Sequence, residues 1–378
     1  MSVRRAIVEA SLDGLNVSAF CREHGISRDR FYVLRRRFEA EGEAGLEPRS
    51  RAPGRVANRT AASVEDAIVE VRKRLTDDGF DAGPETIRWH LINRGVTNVP
   101  SVSTIWRVLT RRGFVTPDPK KRPRSSDRSF VAERANECWQ MDVTHWELAN
   151  GTIVDILDVI DDCSRLCVAS RVIGGSTTGP DVWEAVVDAA NTWGFPARML
   201  SDNGPPFRSA LLKTNLEAIG IAAGHSRPFH PQTCGKVERF HQTLKQYLAA
   251  QETSQTRRHL QTIIDRFVTI YNEQRPHRSI GRNLPAHIWA VTPKDGPATT
   301  PISHPTSIHH NTVDKNGRVE IPGPFSISIG AIHATKTATT IRTGNRAHLF
   351  VDNRLVRHLT IDLTRRSQPL YQKPGRPC

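Results

Sequence analysis

The sequence predicts a multidomain chain: N-terminal all-α helix-turn-helix units, a central α/β core with a mixed sheet, and a small C-terminal β-barrel. Three observations lead there. The chain has 378 residues, enough for several domains at roughly 100–200 residues each. Its texture changes twice, from helical apolar spacing to strand-rich segments at Cys138, and again to short alternating strands beyond a Pro-, Thr- and Ser-rich stretch. The formal net charge of +14 is unevenly placed, at +7 over residues 1–141, zero over 142–298 and +7 over 299–378. A merely soluble, Arg-rich surface gives no reason for a neutral middle between basic flanks, whereas a polyanionic partner does.

With 38% hydrophobic residues the chain can bury a core, and no apolar run approaches the ~18 residues of a spanning helix. The opening MSVRRAIVEASLDG lacks the apolar stretch of a secretory signal, so the expectation is a cytoplasmic protein with no membrane partner. Cys21, Cys138, Cys163, Cys167, Cys234 and Cys378 lie far apart, without CxxC pairs, and read as reduced, packed side chains.

Residues 1–55 read as a first helix-turn-helix unit. Val17 to His24 can form a helix ended by Gly25; Ser27 caps the next, where Phe31, Leu34 and Phe38 lie opposite Arg28, Arg30, Arg35, Arg36 and Arg37. Residues 60–115 read as a second helix-turn-helix or winged-helix-like unit. Ser63 and Asp66 fit a capping box ahead of Val64, Ile68, Val71 and Leu75, and Pro84 suits a helix N1 position before Ile87 and Leu91. Ser101 caps a third helix with Val102, Ile105 and Leu109 inward, leaving Ser103, Thr104, Arg107 and Arg111 for a major groove. On these residues alone, tandem DNA readers and a helical bundle with solvated arginines stand level. Residues 116–135 read as a basic linker, with Lys120, Lys121, Arg122 and Arg124 among three prolines.

The core, residues 136–292, opens with CWQMDVTHWEL, the Asn150-Gly151 hairpin signal, TIVDILDVIDD and LCVASRVI. Helices and strands then alternate: Pro180 to Trp193, Ala197 to Ser201, Ser209 to Ile219, Ile221 to His225, and a long helix from Lys236. Another amphipathic helix spans Leu260 to Asn272. Residues 293–311 read as a second linker, 312–364 as the small basic β-barrel and 365–378 as a disordered tail. The 11 basic and 4 acidic residues after 298 favour DNA contact there over a purely structural role.

Three carboxylates stand out by local sequence: Asp142 among strand formers in WQMDVT, Asp202 ahead of an Asn-Gly turn in LSDNGPPF, and Glu238 behind a Gly-Lys helix entry in HPQTCGKVERFHQTLK. Asp142 and Asp202 become neighbours if their strands are adjacent, with Glu238 approaching from a covering helix. On that helix Val237, Phe240, Leu244 and Leu248 form the apolar stripe, and Glu238 and Lys245 share its edge. The other acidic residues, Asp155, Asp158, Asp161 and Asp162 among them, read as parts of a strand and its turn. Convergent carboxylates without Cys or His ligand spacing suit Mg²⁺ or Mn²⁺ better than zinc, and two such ions serve phosphodiester chemistry.

These motifs closely resemble the catalytic core of insertion-sequence transposases in the retroviral integrase superfamily, which have a ribonuclease-H-like fold. The spacing leaves 59 residues between Asp142 and Asp202 and 35 between Asp202 and Glu238, which matches that superfamily's Asp, Asp, 35-residue gap, Glu signature. The resemblance implies that Asp142 and Asp202 bind the metals, two per site, and that Glu238 completes it. Lys245 then holds a DNA phosphate; His230 and Gln232 fit the loop before the helix, where loop-stabilising hydrogen bonding stands slightly ahead of DNA contact, and Lys236 and Arg239 lie beside the site, with phosphate contact favoured over a solvated role. It also implies a bacterial, nucleoid-associated DNA transposase that binds terminal inverted repeats, cuts the strand at each end and joins the 3′-hydroxyls to target double-stranded DNA. Joining two ends calls for a homo-oligomer, at least a dimer, on DNA. The rival readings are a non-catalytic DNA-binding regulator derived from such an element and a purely hydrolytic nuclease. Retroviral integrases carry an N-terminal His/Cys zinc module, and here Cys21 and His24 lack a second pair.

Overall fold

The structure, a computed structural model, describes residues 3–10, 14–48, 60–115, 131–225, 235–297 and 306–370. It divides into two compact units, Met1–Thr60 and Ala61–Cys378.

The first unit holds α1 (Val3–Glu9), α2 (Val17–Glu23) and α3 (Arg28–Glu41), followed by a 3₁₀ turn at Gly42–Leu46. Asn16 caps α2 by accepting the Ala19 N–H, and Ser27 caps α3 by accepting the Arg30 N–H. Gly25 turns the chain between them at φ +61°. Ile7, Cys21, Phe31 and Leu34 make the core. Arg35, expected to face DNA, instead donates from Nη1 to the carbonyls of Ile7 and Ala10 at 3.3 and 2.7 Å, satisfying the end of α1. Arg28 and Arg30 are exposed.

The second unit begins with α4 (Ala62–Asp77), α5 (Pro84–Asn93) and α6 (Val102–Arg111). The capping box expected at Ser63 and Asp66 does not form. α4 starts with Ala61 at its N-cap, which puts Ser63 inside the first turn, and Asp66 receives Arg112 at 2.7 Å. Pro84 at the start of α5 and the Ser101 cap on α6 are as expected.

The central sheet contains β1 (Cys138–Glu147), β2 (Ile153–Asp161), β3 (Cys167–Ile173), β4 (Arg198–Ser201) and β5 (Ala222–His225) in the order β3-β2-β1-β4-β5. The first three are antiparallel; β4 runs parallel to β1, and β5 to β4. Interleaved are α7 (Gly179–Trp193) and α8 (Ala210–Ile219), followed by α9 (Gly235–Ala249), α10 (Arg257–Glu273) and α11 (Pro285–Val291). Strand alternation sorts the sheet's two faces. Trp139, Met141, Leu157 and Val159 pack with α7 and α8, whereas Cys138, Ile156, Ile160 and Leu200 pack with α9 and α10. The helices α4 to α6 share that second cluster. Phe80 packs tilted against Tyr247 and stacks on Phe267, with ring centroids at 5.0 and 6.3 Å, so this three-helix module is seated on α9 and α10.

The C-terminal region carries β6 (Thr306–Thr312), β7 (Arg318–Ile321), β8 (Phe325–Ser328), β9 (Thr337–Thr343), β10 (Arg346–Val351), β11 (Arg354–Thr360) and β12 (Ser367–Gln368). Three expectations change here. The barrel is replaced, among the described residues, by two open sheets of order β11-β10-β9-β6 and β12-β8-β7 around Val319, Ile327, Ala347 and Leu349. Between β6 and β7 the chain turns at Gly317, φ +73°, so close to Gly330 that a Cβ would meet its backbone at 2.1 Å. The linker assigned to 293–311 contains β6, which pairs with the whole of β9, and Lys294 bridges to Ala135. The tail assigned to 365–378 contains β12, held on β8. At the other linker, residues 131–135 are also anchored: the Ala132 N–H donates to buried Asp162 at 2.7 Å. The open sheets lean on the core through Trp183 and Phe350, ring centroids 5.0 Å apart, and through Asn353, which accepts from Asn215 and donates to Glu184.

Candidate active site

Alternation along β1 directs Gln140, Asp142 and Thr144 to the face covered by α9. Asp142 lies directly opposite Asp158 on β2, and Asp158 opposite Ser170 on β3. The parallel β1–β4 register runs from Cys138↔Arg198 to Gln140↔Leu200, and Asp202, two residues past Leu200, is close enough for its charge to act on Asp142. Ser170, Asp158, Asp142 and Asp202 thus form a polar row across the face that α9 covers. Asp202 is exposed just past β4, its Oδ1 accepting the Gly204 N–H at 2.8 Å, which makes the expected Asn-Gly turn. Burial pushes the Asp142 carboxyl above the usual range, and the charges of Asp202 and Asp158 push the same way; His241 and the Val143 N–H oppose them.

α9 forms because Val237, Phe240, Leu244 and Leu248 recur on one side, and all four are buried. Glu238 stands exposed in its first turn, where the helix dipole favours a carboxylate. Lys245 and Arg239 are exposed on the same helix. The structure therefore brings Asp142 and Asp202 together and sets the Glu238 helix over the same face. Among the described residues, no three His, Cys, Asp or Glu side chains converge as a metal-holding group. Asp142 and Asp202, as two neighbouring carboxylates, repel one another.

The remaining site residues divide. Lys236, expected beside a phosphate, turns inward: its Nζ lies 2.5 Å from Oδ1 of Asp162, which is 0% exposed and also accepts from Gln140 Nε2 at 2.6 Å. Arg107 is exposed on α6, whereas Arg111 pairs with buried Glu65 at 2.5 Å instead of facing a groove. His230 and Gln232 lie outside the described residues.

Three buried polar residues gain a place here: Asp158 and Asp162, which the sequence assigned only to a strand and its turn, and His241, which it passed over. His241 sits within the apolar stripe, four residues after Val237 and three before Leu244, and its imidazole reaches both Asp142 and Asp158. The available signal was a titratable residue at a core position of a helix, and a carboxylate inside an apolar strand.

Residues 132–231 and 219–285 each match an integrase core domain family, residues 3–54 a helix-turn-helix domain and residues 31–109 a homeodomain-like domain. Similar proteins include the 31.7 kDa protein of insertion element IS407 from Burkholderia multivorans, 28% identical over 41% of this chain and 56% of that protein. The 39.2 kDa protein of insertion element IS476 from Xanthomonas euvesicatoria is 29% identical over 45% and 49%. A Pol-related polyprotein of the mouse intracisternal A-particle is 34% identical over 32% and 13%. The chain thus spans from about an eighth to just over half of the length of these relatives. Among solved structures, the catalytic core domain of BIV integrase is 28% identical over 41% of this chain and 94% of that one, with a TM-score of 0.34. Fold and sequence together define the class, a protein with an integrase core preceded by helix-turn-helix domains. Within that class it is similar to proteins of insertion elements. No described helix is long and apolar enough to cross a membrane.

Proposed function

We propose that this protein is a DNA transposase acting at the ends of a mobile element, with Asp142, Asp202 and Glu238 as its catalytic carboxylates. The observation that carries the reading is the electrostatic contact between Asp142 on β1 and Asp202 just past the adjacent parallel strand β4, beneath the helix that bears Glu238. Two acidic side chains held together against their own repulsion, offering only oxygen donors, fit Mg²⁺ or Mn²⁺. Asp142 and Asp202 would hold the ions, two per site, with Glu238 completing the set. Bound there, a divalent cation supplies activation of an attacking oxygen and stabilisation of the departing one.

The protein's own residues bind and orient the DNA. Lys245, two turns from Glu238 on the exposed rim of α9, takes a phosphate next to the scissile bond, and Arg239, His230 and Gln232 extend that contact. Arg107 and Ser103 on α6, with Arg28 and Arg30 of the first unit, read the terminal inverted repeats. In the first step water attacks the phosphodiester at the element end, one P–O bond breaks and a 3′-hydroxyl leaves. In the second, that hydroxyl attacks a target phosphodiester, forming one P–O bond as another breaks. Two ends joined to one target need two active sites, hence at least a dimer on DNA.

The test uses labelled duplexes carrying the inverted repeats that bracket the gene, incubated with the full chain and Mg²⁺. Cut ends joined to a target duplex are expected. Binding without metal-dependent joining contradicts the proposal and favours the derived regulator; cutting without joined product favours a nuclease.

A further inference from the structure

His241 and Asp158 have no part in the proposed chemistry, yet they hold the centre of the site. Asp158 is 0% exposed, on a strand whose neighbours Leu157 and Val159 are equally buried. Its Oδ1 accepts the Ser170 hydroxyl at 2.5 Å. Its Oδ2 lies 3.0 Å from Nε2 of His241, an ion-pair contact, and neither of these two atoms makes a hydrogen bond. The other imidazole nitrogen, Nδ1, stands 3.7 Å from Oδ2 of Asp142. The ring is largely enclosed, its side chain 11% exposed and its edge against the ring of Phe240 at 6.5 Å between centroids. Asp142 therefore has a fixed neighbour on each side of its carboxylate: its own Val143 N–H at Oδ1, 2.8 Å away, and His241 at Oδ2. An isolated carboxylate buried as deeply as Asp158 costs several kcal/mol unless it is partnered. A small apolar side chain would fill its place on the sheet more cheaply.

We infer that Asp158 and His241 form a positioning relay, Ser170 to Asp158 to His241 to Asp142, that sets the rotamer of Asp142 and the height of α9 above the sheet. Because Glu238 stands three residues before His241 on the same helix, one contact locates both carboxylates. The inference rests on the proposed role of Asp142. Neither Asp158 nor His241 touches DNA or metal in it. Carboxylates and imidazoles that hold a metal ligand from behind typically govern affinity by 10- to 100-fold.

The test is Mn²⁺ binding to the full chain, read by electron paramagnetic resonance of the free ion, beside the melting temperature without metal. His241→Asn is expected to weaken Mn²⁺ binding about tenfold or more and to lower the melting temperature. The double variant Asp158→Asn/His241→Asn, which removes the stranded charge, is expected to regain much of the melting temperature while Mn²⁺ binding stays weak. A merely structural pair would restore both. Mn²⁺ affinity of the double variant within about twofold of wild type overturns the inference, and the double variant decides if the single one does not fold. Asp142→Asn separates the two readings: if it leaves Mn²⁺ binding unchanged, or if the wild type binds none, the site itself is misassigned and the relay falls with it.

Discussion

Replacing Lys236 by Met keeps the aliphatic stem and removes the ammonium group, and it decides between two roles for that residue. As a phosphate contact Lys236 belongs to the DNA; as an anchor it belongs to the fold. The structure places Nζ 2.5 Å from Asp162, beside donations from Gln140 Nε2 at 2.6 Å and the Ala132 N–H at 2.7 Å. Stranding one partner of a buried ion pair costs about 3–5 kcal/mol, and two surviving donors keep the loss near the lower figure, about 3 kcal/mol. Urea unfolding followed by tryptophan fluorescence reads this as a lower midpoint with unchanged slope. The double variant Lys236→Met/Asp162→Asn should lose less than the single losses combined, by about 1–3 kcal/mol of coupling. DNA affinity should keep its dependence on salt, since no phosphate contact is removed. A stability change under about 0.5 kcal/mol, together with a salt slope shallower by about 0.9, would show a phosphate contact and refute the anchor.

Asp142→Asn should raise the metal-free melting temperature near neutral pH. The folded carboxyl titrates above its unfolded value, so its ionised form costs stability above the folded pKa, and the gain should fade as the pH falls toward about 4; equal gains at all pH values would contradict this. Gly79→Ala should destabilise the second unit by about 2 kcal/mol or more, because φ is +77° and a Cβ would meet the Tyr247 Cα at 2.8 Å; thermal melts check it. Arg35→Ala should lower the melting temperature of the full chain's first transition, whereas Arg28→Ala and Arg30→Ala should weaken DNA binding at unchanged stability, as read by calorimetry and filter binding.

Much of this architecture is legible because its signals are local. Ser27, Ser101 and Pro84 announce helix starts, and the stripe Val237, Phe240, Leu244 and Leu248 announces α9. Asp142 and Asp202 could be paired in advance because strand, turn and helix alternate in the order a mixed sheet requires. What escaped is set by tertiary partners. Lys236, Arg35 and Arg111 carry the same charge as the other candidate DNA contacts, and only the positions of Asp162, the Ile7 carbonyl and Glu65 reveal that they are paired within the fold. β6 escaped because its TSIHHNT carries few apolar residues and is held as an edge by β9. β12, two residues long, has no periodicity to detect. His241 and Asp158 escaped for the opposite reason: a stripe and a strand that read as apolar hide two polar residues that need one another.

The central claim is that the Asp142, Asp202 and Glu238 carboxylates carry out strand joining. The direct measurement is joined product per turnover in Mg²⁺ with inverted-repeat duplexes, for the wild type and for Asp142→Asn, Asp202→Asn and Glu238→Gln, with DNA affinity measured beside it. Loss of joining by about a thousandfold or more in each variant, at unchanged DNA affinity, is the expected result. Joined product at wild-type yield from any one of the three would contradict the assignment of that carboxylate.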